Sequence, residues 1–366
     1  MQTIDVDTLR TWLDTGRSVA VLDVRTAADR AEWAIPGSIH VDAYAALKAN
    51  DPHALDAADL PGDRPIVTVC GAGKISLVAA EQLRPRGFEA FSLAGGMQAW
   101  SLAWNTAVLP LPNSAARIVQ VRRTGKGCLS YLIGADGEAA VIDAALDPAI
   151  YQRLAQQHGW RITAVLDTHI HADHLSRSRA LAEQTGATLY LPNQERASFS
   201  HTPIGDGNTI AIGSARLRAL RTPGHTAEST SYLLDGQVLF TGDTLFLNAV
   251  GRPDLHADPE AARARAHTLY ASLQRLFALA PETLVLPGHT SAPTPFDEQP
   301  SATTLAQVYA QTALLQVAED AFVAAVLARI PPTPPNHTRI TELNEAGALV
   351  DDPIALEAGA NRCAIA

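Results

Sequence analysis

The chain has 366 residues, 47% hydrophobic and 18% charged, a composition that suits ordinary globular cores at a length for two or three domains. Its formal net charge of −10 argues against a nucleic-acid surface, which needs clustered Lys and Arg to neutralise phosphates. The opening MQTIDVDTLR lacks a basic stretch followed by an apolar one, and no apolar run reaches the ~18 residues that span a bilayer. Neither a signal peptide nor a membrane partner is expected. Cys70, Cys128 and Cys363 are odd in number and form no disulfide framework, so they read as reduced thiols of a cytoplasmic protein.

Residues 1–108 alternate short apolar runs (VAVLDVR, IVTVC) with helical stretches, as in an α/β domain with a parallel sheet and flanking helices. Cys70 ends the strand-like IVTV and opens the loop CGAGKIS (70–76), and SLVAAEQL then reads as a helix. A cysteine there sits among free backbone N–H groups at the positive end of a helix dipole, a setting that suits a thiolate nucleophile. Gly71 and Gly73 let the backbone curl around the sulfur, and Lys74 adds positive charge for a bound anion. On its own, a cysteine after a strand is more often a small core residue. The runs LDVR (22–25), IPGSIH (35–40) and LAGGMQAW (93–100) flank Cys70 at the spacing of rhodanese domains, which residues 3–105 resemble. That resemblance implies that Cys70 carries a persulfide and exchanges sulfane sulfur with thiols, thiosulfate or sulfite. Two positions depart from the pattern: Ile75 stands where the loop commonly has Arg, and Ala34 where the run before the proline commonly has His.

Residues 109–115 (LPLPNSA), with two prolines, an asparagine and a serine, read as a linker. A second domain over 116–300 follows. Its strand-like ITAVLDT (162–168) runs into His169, His171, Asp173 and His174, and three later strand-like runs end in Gly plus one ligand-type residue: His225, Asp243 and His289. Imidazole nitrogen and carboxylate oxygen are ligands of zinc and iron. Seven such residues at four strand ends can converge on one edge of a sheet sandwich. This set resembles the metallo-β-lactamase superfamily, which implies an αββα sandwich over about 116–295 and a metal-dependent reaction.

Three further runs resemble persulfide dioxygenases: GCLSYLIG (127–134), VGRPDL (250–255) and the ending GANRCAI (359–365), approached through the proline-rich RIPPTPPN (329–336). This resemblance implies one Fe(II) per chain held by His169, His225 and Asp243, a set with open positions for substrate and O2. His171, Asp173, His174 and His289 would then orient those ligands, or hold a second metal if the site takes two Zn or Fe ions. Arg252 is a candidate for substrate binding or loop anchoring, or else an ion pair with Asp254. Arg177 and Arg179 stand where that family usually carries a Thr/Ser-Gly pair; they are candidates for an anionic substrate or for a solvated helix face. The implied reaction takes a low-molecular-weight persulfide, most simply glutathione persulfide, to sulfite with O2, coupled to sulfur transfer at Cys70. The alternative is a dinuclear thioester hydrolase similar to hydroxyacylglutathione hydrolase. A sulfur-relay module without turnover is a third reading, disfavoured by the full ligand set.

The C-terminal extension, 301–366, is expected to pack on the metal domain. Within it, 303–329 reads as one long helix that stops at IPPTPP, where proline forbids continuation. Its apolar surface suits a homodimer contact or cover for its own domain.

Overall fold

A computed structural model describes residues 2–111, 114–359 and 361–366. The N-terminal part is a five-stranded sheet in the order Thr3–Ile4, Ala90–Leu93, Ile66–Val69, Ala20–Asp23, Ile39–His40. Every neighbouring pair in it is parallel. Parallel strands need crossover connections that cover both faces. The helices Val6–Asp14, Ala27–Glu32, Tyr44–Lys48 and Lys74–Leu83 lie in these connections, and the strands Ala20–Asp23 and Ile66–Val69 are accordingly buried throughout.

The second part is two packed sheets. One has seven strands in the order Thr202–Ile204, Thr188–Pro192, Arg161–Leu166, Glu138–Ile142, Cys128–Ala135, Arg117–Arg123, Asn105–Pro110. The other has six, in the order Thr209–Ile212, Ala215–Arg221, Thr230–Leu234, Val238–Gly242, Leu284–Pro287, Thr303–Thr304. Ile118, Tyr131 and Ile142 of the first sheet meet Leu217, Tyr232 and Phe240 of the second in one apolar core. Helices Pro148–Gln157 and Ser178–Thr185 contribute to the core on the outer face of the seven-stranded sheet. Helices Pro259–Phe277 and Glu319–Ala328 do the same for the six-stranded sheet. The architecture is the expected pair: a parallel α/β domain and an αββα sandwich.

Two expectations are corrected. The stretch 109–115 is not wholly a linker. Leu109 and Pro110 complete the strand Asn105–Pro110, which pairs with Arg117–Arg123 from Asn105 to Pro110. The change of sheet therefore precedes Asn105, and Pro112 and Asn113 lie outside the described residues. The long helix over 303–329 is broken into a short strand Thr303–Thr304, helix Leu305–Gln311, a 3-10 turn Ala313–Gln316 and helix Glu319–Ala328. Thr312 and Val317 are both extended at the breaks. Folding back lets Leu314, Leu315, Phe322, Val323 and Val326 all reach one apolar cluster, with Leu269 and Leu273 of Pro259–Phe277. A straight helix of that length would hold part of this set in water, at ~1.5–3 kcal/mol for each large side chain left out.

The tail is more ordered than its composition suggests. It contains helices His337–Ala346 and Ile354–Glu357, and its end, Ala364–Ile365, pairs antiparallel with Val250–Gly251. The two domains meet closely. The Trp33 indole N–H donates to the Thr124 carbonyl at 3.2 Å, and Arg123 Nε donates to the Ser101 carbonyl at 2.7 Å. Gly125 permits the contact, since a Cβ there would stand 1.8 Å from the Trp100 carbonyl oxygen.

Candidate metal centre and cysteine loop

Strand Arg161–Leu166 hands the chain to a segment without helix or strand that carries His169, His171, Asp173 and His174. His225, Asp243 and His289 follow the strands Ala215–Arg221, Val238–Gly242 and Leu284–Pro287. The last two strands are parallel neighbours with Gly242 opposite Pro287, so Asp243 and His289 leave the sheet side by side. Gly242 has φ +50°, and a Cβ there would meet Thr168 Oγ1 at 2.4 Å. The two sheets touch at this point, which sets Asp243 against His169. All seven ligand-type residues are buried.

His169, His225 and Asp243 form the inner half. Asp243 Oδ2 lies 3.9 Å from His169 Nε2 and 3.7 Å from His225 Nε2. These gaps are too long for hydrogen bonds. They are shorter than the ~4.2 Å that two ligands of one ion, each ~2.1 Å from it, can span. His169 Nε2 and Asp243 Oδ2 are buried without any hydrogen-bond partner. Leaving such atoms unpaired costs ~1–3 kcal/mol each, so a cation between them is the fitting occupant. The protonation states agree. Burial and the neighbouring His171 hold the His169 imidazole well below its usual range, against the pull of Asp243, and it stays neutral. Burial favours the protonated form of Asp243, but the facing His289, charged and hydrogen-bonded to it, outweighs that and keeps the carboxyl below its usual range. Neutral imidazole and ionised carboxylate are the ligand forms.

Hydrogen bonds behind the rings fix which nitrogen faces the centre. His169 Nδ1 donates to Thr168 Oγ1 at 2.9 Å, and that hydroxyl donates to Asp143 Oδ2 at 2.9 Å. His225 Nδ1 donates to the Arg252 carbonyl at 2.8 Å. Asp143 also accepts from the Thr168 backbone N–H at 2.7 Å and lies 3.2 Å from His171 Nε2. Sequence reasoning missed Asp143, although its setting, AVID at the end of Glu138–Ile142, repeats the ligand-after-strand pattern.

The outer half is largely bonded to itself, although His171 Nδ1 and His174 Nε2 are, like His169 Nε2, buried without a hydrogen-bond partner. His289 Nδ1 lies 2.6 Å from Asp243 Oδ1 and its Nε2 lies 2.8 Å from Asp173 Oδ2. His174 Nδ1 is 3.1 Å from Asp173 Oδ1, and Asn361 Nδ2 donates to Asp173 Oδ2 at 3.1 Å. Burial opposes charge on both histidines, but Asp173 and Cys128 raise His174 to about 10, and Asp243 with Asp173 raises His289 well above its usual range. Cys128 stands 3.7 Å from Asp173 Oδ2 and 3.8 Å from His174 Nδ1. Burial raises its thiol, yet the facing His174 and His289 bring it down to about 6. Donor atoms of Cys128, Asp173, His174 and His289 lie within 4.8 Å of one another. A second ion there would have to displace these bonds.

Of the two readings given for each of three arginines, the structure shows Arg252 as the anchor and Asp254 partner, Arg179 on the helix surface, and Arg177 buried rather than on a solvated face. Arg252 is fully buried; its guanidinium bridges Asp254 at 2.7 Å and the carbonyls of Pro332 and Arg362. It anchors the tail and, through its own carbonyl, His225; no face remains for substrate. Arg177 is buried against Glu357 at 2.7 Å. Arg179 lies on the helix surface, paired with Glu183 at 2.8 Å. Glu357, unmarked in sequence, accepts from the Leu175 N–H and pairs with Arg123 and Arg177. Burial raises it, but the two arginines hold it at about 2. Cys363 lies in reach of Asp243 and His289, and burial pushes its thiol up.

A cavity of about 420 Å³ opens beside His225. Ile170, Ala172 and Leu255 supply an apolar wall, Arg196, Arg265 and His256 cationic or donor groups, and Glu342 and Glu345 acceptors.

Cys70 is 2% exposed and shares an apolar cluster with Leu22, Ala79 and Leu83. Its loop is held from the far side by helix Gly96–Trp100: the Met97 N–H donates to the Cys70 carbonyl at 2.8 Å, and the Gln98 N–H to the Gly71 carbonyl at 3.0 Å. Gly73, at φ +84°, caps the helix that Lys74 starts, and the Lys74 side chain is exposed. The expected loop at a helix N-terminus is in place, with the cysteine more enclosed than a partly exposed nucleophile would be.

Residues 5–103 match the rhodanese-like domain, and residues 123–289 match the metallo-β-lactamase superfamily. The chain therefore joins a rhodanese-like domain to a metallo-β-lactamase domain. Among relatives, it is similar to the hydroxyacylglutathione hydrolases of Brucella anthropi (34% identity over 153 residues, 41% of this chain and 55% of that protein) and Rhizobium etli (35% over 156 residues, 42% and 57%). It thus spans a little over half the length of these curated relatives. Among solved structures, it resembles ETHE1 from Myxococcus xanthus (29% identity, TM-score 0.55), covering 63% of this chain and 98% of that one. It also resembles a metallo-β-lactamase from Staphylococcus aureus (26% identity, TM-score 0.59), covering 66% and 75%. No helix among the described residues is long and apolar enough to cross a membrane.

Proposed function

We propose that the metal domain oxidises a small-thiol persulfide with O2 and that the rhodanese-like domain carries sulfane sulfur on Cys70. The observation that carries this reading is a pairing. The GRPD run and the NRCAI ending, both similar to persulfide dioxygenase motifs, lie far apart in sequence, yet Val250–Gly251 and Ala364–Ile365 form one two-stranded ribbon. That ribbon leads directly into Arg252, whose carbonyl orients His225. The likeness to ETHE1, which takes in 98% of that chain, supports the same reading.

His169, His225 and Asp243 would hold one Fe(II). Bound there, iron supplies a redox centre with open positions for a sulfur ligand and O2. The chain's own groups set the frame. Thr168 and Arg252 hold the ring nitrogens in place, and the Asp173–His289–Asp243 bonds fix the carboxylate from its other oxygen. The cavity beside His225 pairs donors at Arg196, Arg265 and His256 with acceptors at Glu342 and Glu345. Arg196 and Glu345 pair with each other at 2.6 Å, and a zwitterionic peptide thiol such as glutathione would exchange that pair for its own carboxylate and ammonium. The balanced reaction consumes one persulfide, one O2 and one water, and yields one thiol, one sulfite and two protons. A Cys70 persulfide would pass its outer sulfur to sulfite as thiosulfate, or to a thiol as fresh persulfide.

The second reading is thioester hydrolysis, favoured by the 34–35% identity to the hydroxyacylglutathione hydrolases. One experiment separates the two. Protein loaded anaerobically with Fe(II), and a Zn(II) sample beside it, are given glutathione persulfide under a dissolved-oxygen electrode, then lactoylglutathione. Iron-dependent oxygen uptake matched by sulfite or thiosulfate is expected. No uptake together with rapid thioester cleavage would replace the proposal with the hydrolase.

A further inference from the structure

The metal-ligand segment 167–177 has neither helix nor strand, so its shape depends on side chains that reach it from elsewhere. One residue reaches it three times. Asn344, in helix His337–Ala346, donates from Nδ2 to the carbonyls of His171 at 2.8 Å and His174 at 2.9 Å, and its Oδ1 accepts from the Ser176 N–H at 2.8 Å. Both amide hydrogens and the amide oxygen are thus used on one loop. The two carbonyls bracket Ala172 and Asp173, so the carboxamide closes the turn that separates His169 and His171 from His174.

We propose that Asn344 is a positioning residue of the metal centre, holding the ligand loop in its binding shape from the C-terminal extension. This rests on the metal-centre reading and not on the choice between oxidation and hydrolysis. Two features distinguish the role from ordinary packing. The helix is already seated without Asn344, because Ile340 and Leu343 pack on Leu175 in their own apolar cluster. And the chemistry demanded is specific to asparagine. Aspartate of the same length offers no donor and turns an acceptor toward two carbonyl oxygens, while glutamine reaches one methylene too far.

The neighbours of Asn344 show why the extension takes this part. Glu357 accepts from the Leu175 N–H at 2.9 Å, and Asn361 donates to Asp173 at 3.1 Å. Among these three, Asn344 alone holds the loop backbone on both sides of Asp173. Groups bonded directly to metal ligands are typically worth ~10–100-fold in metal affinity; Asn344 acts one step further out, on the backbone of His171 and His174, so its effect belongs at or below the lower end of that range.

The test is a Co(II) titration of the apo full-length protein, read by the visible absorption of the bound ion, alongside apo thermal unfolding. Wild type is compared with Asn344→Ala, Asn344→Asp and, as the packing control in the same helix, Leu343→Ala. Asn344→Ala should weaken Co(II) binding severalfold, up to ~10-fold, and change its absorption bands, with Asn344→Asp weaker still. Leu343→Ala should lower the apo Tm while keeping the wild-type band positions. Wild-type affinity and spectrum in Asn344→Ala would overturn the proposal. So would the same spectral change in Leu343→Ala, which would reduce Asn344 to one part of a generally loosened helix. Failure of wild type itself to bind Co(II) would instead overturn the metal-centre reading.

Discussion

The two sites of this chain are built in opposite ways. The Cys70 loop is made within residues 66–100: a strand, a Gly-punctuated turn, the helix Lys74–Leu83 and, from Gly96–Trp100, two backbone N–H groups on the loop's carbonyls. The metal centre is made from four strand ends in two sheets, and from the tail, through Asn344, Glu357 and Asn361. Backbone-to-backbone support tolerates side-chain change; side-chain support from distant segments does not. The cysteine site should therefore be the more autonomous, and the metal site the one sensitive to remote substitution.

The largest expected effect tests that separation directly. Asp243→Asn should abolish metal retention, because it replaces the ionised ligand between His169 and His225, and should leave persulfide formation on Cys70 intact. Cys70→Ser should do the reverse: full metal content, no thiosulfate sulfurtransferase activity, and oxygen uptake on supplied persulfide largely kept. Metal content by elemental analysis and the two assays check the cross. Loss of both activities in either folded variant would break the comparison.

Next comes Glu357, which belongs to both sides: it accepts from Leu175, beside His174, and pairs with Arg123, which donates to the Ser101 carbonyl at the end of the helix that supports Cys70. Glu357→Gln should cost ~3–5 kcal/mol at pH 7, since it leaves buried arginines uncompensated. The pH dependence has a definite sign. Glu357 is held at about 2 in the fold against an ordinary 4.5. Its contribution, ~3 kcal/mol for a shift of this size, is present above about 4.5 and disappears as pH falls toward about 2. The wild-type advantage over Glu357→Gln in urea unfolding should thus narrow steadily below pH ~4.5. A gap that stayed constant from pH 7 to pH 3 would show that the carboxylate charge is not what Arg123 and Arg177 need.

Legibility in sequence follows the same division. Cys70, Gly71, Gly73 and the alternation of short strands with helices are local patterns, and all seven ligand-type residues announce themselves at strand ends. Arg252 was legible as a loop anchor or a partner of Asp254, and it is both; what nothing in GRPD says is that the guanidinium reaches as far as Pro332 and Arg362 while the carbonyl meets His225. Asn344 and Glu357 carry no local pattern, and Cys128 stands in the run GCLSYLIG without any sign that its thiol faces Asp173 and His174, because their partners lie far off in the chain. The misread helix over 303–329 has the same cause. Its apolar residues satisfy a helical period, but the surface they must cover, on Pro259–Phe277, bends the chain at Thr312 and Val317.

The smallest expected effect is also the most local. Gly96 has φ +56°, and a Cβ there would stand 2.2 Å from the Cys70 carbonyl oxygen and 2.7 Å from the Gly73 nitrogen. Ordinary alanine contacts do not approach so closely, and the backbone conformation itself disfavours a side chain by ~1–3 kcal/mol. Gly96→Ala should therefore push the support helix off the loop, weakening the bonds from Met97 and Gln98 that fix Cys70 and Gly71. Sulfurtransferase turnover should fall by at least tenfold, while the apo Tm of the whole chain drops by only a few degrees, as ~1–3 kcal/mol implies for a chain of this size. Metal affinity should hold, because the metal-ligand segment draws its own support from Asn344 and Glu357. A Gly96→Ala protein that also lost metal would mean that Trp100, pressed on Gly125 two residues before Gly127 and three before Cys128, carries strain from the cysteine loop into the metal centre, and the two sites would have to be treated as one mechanical unit.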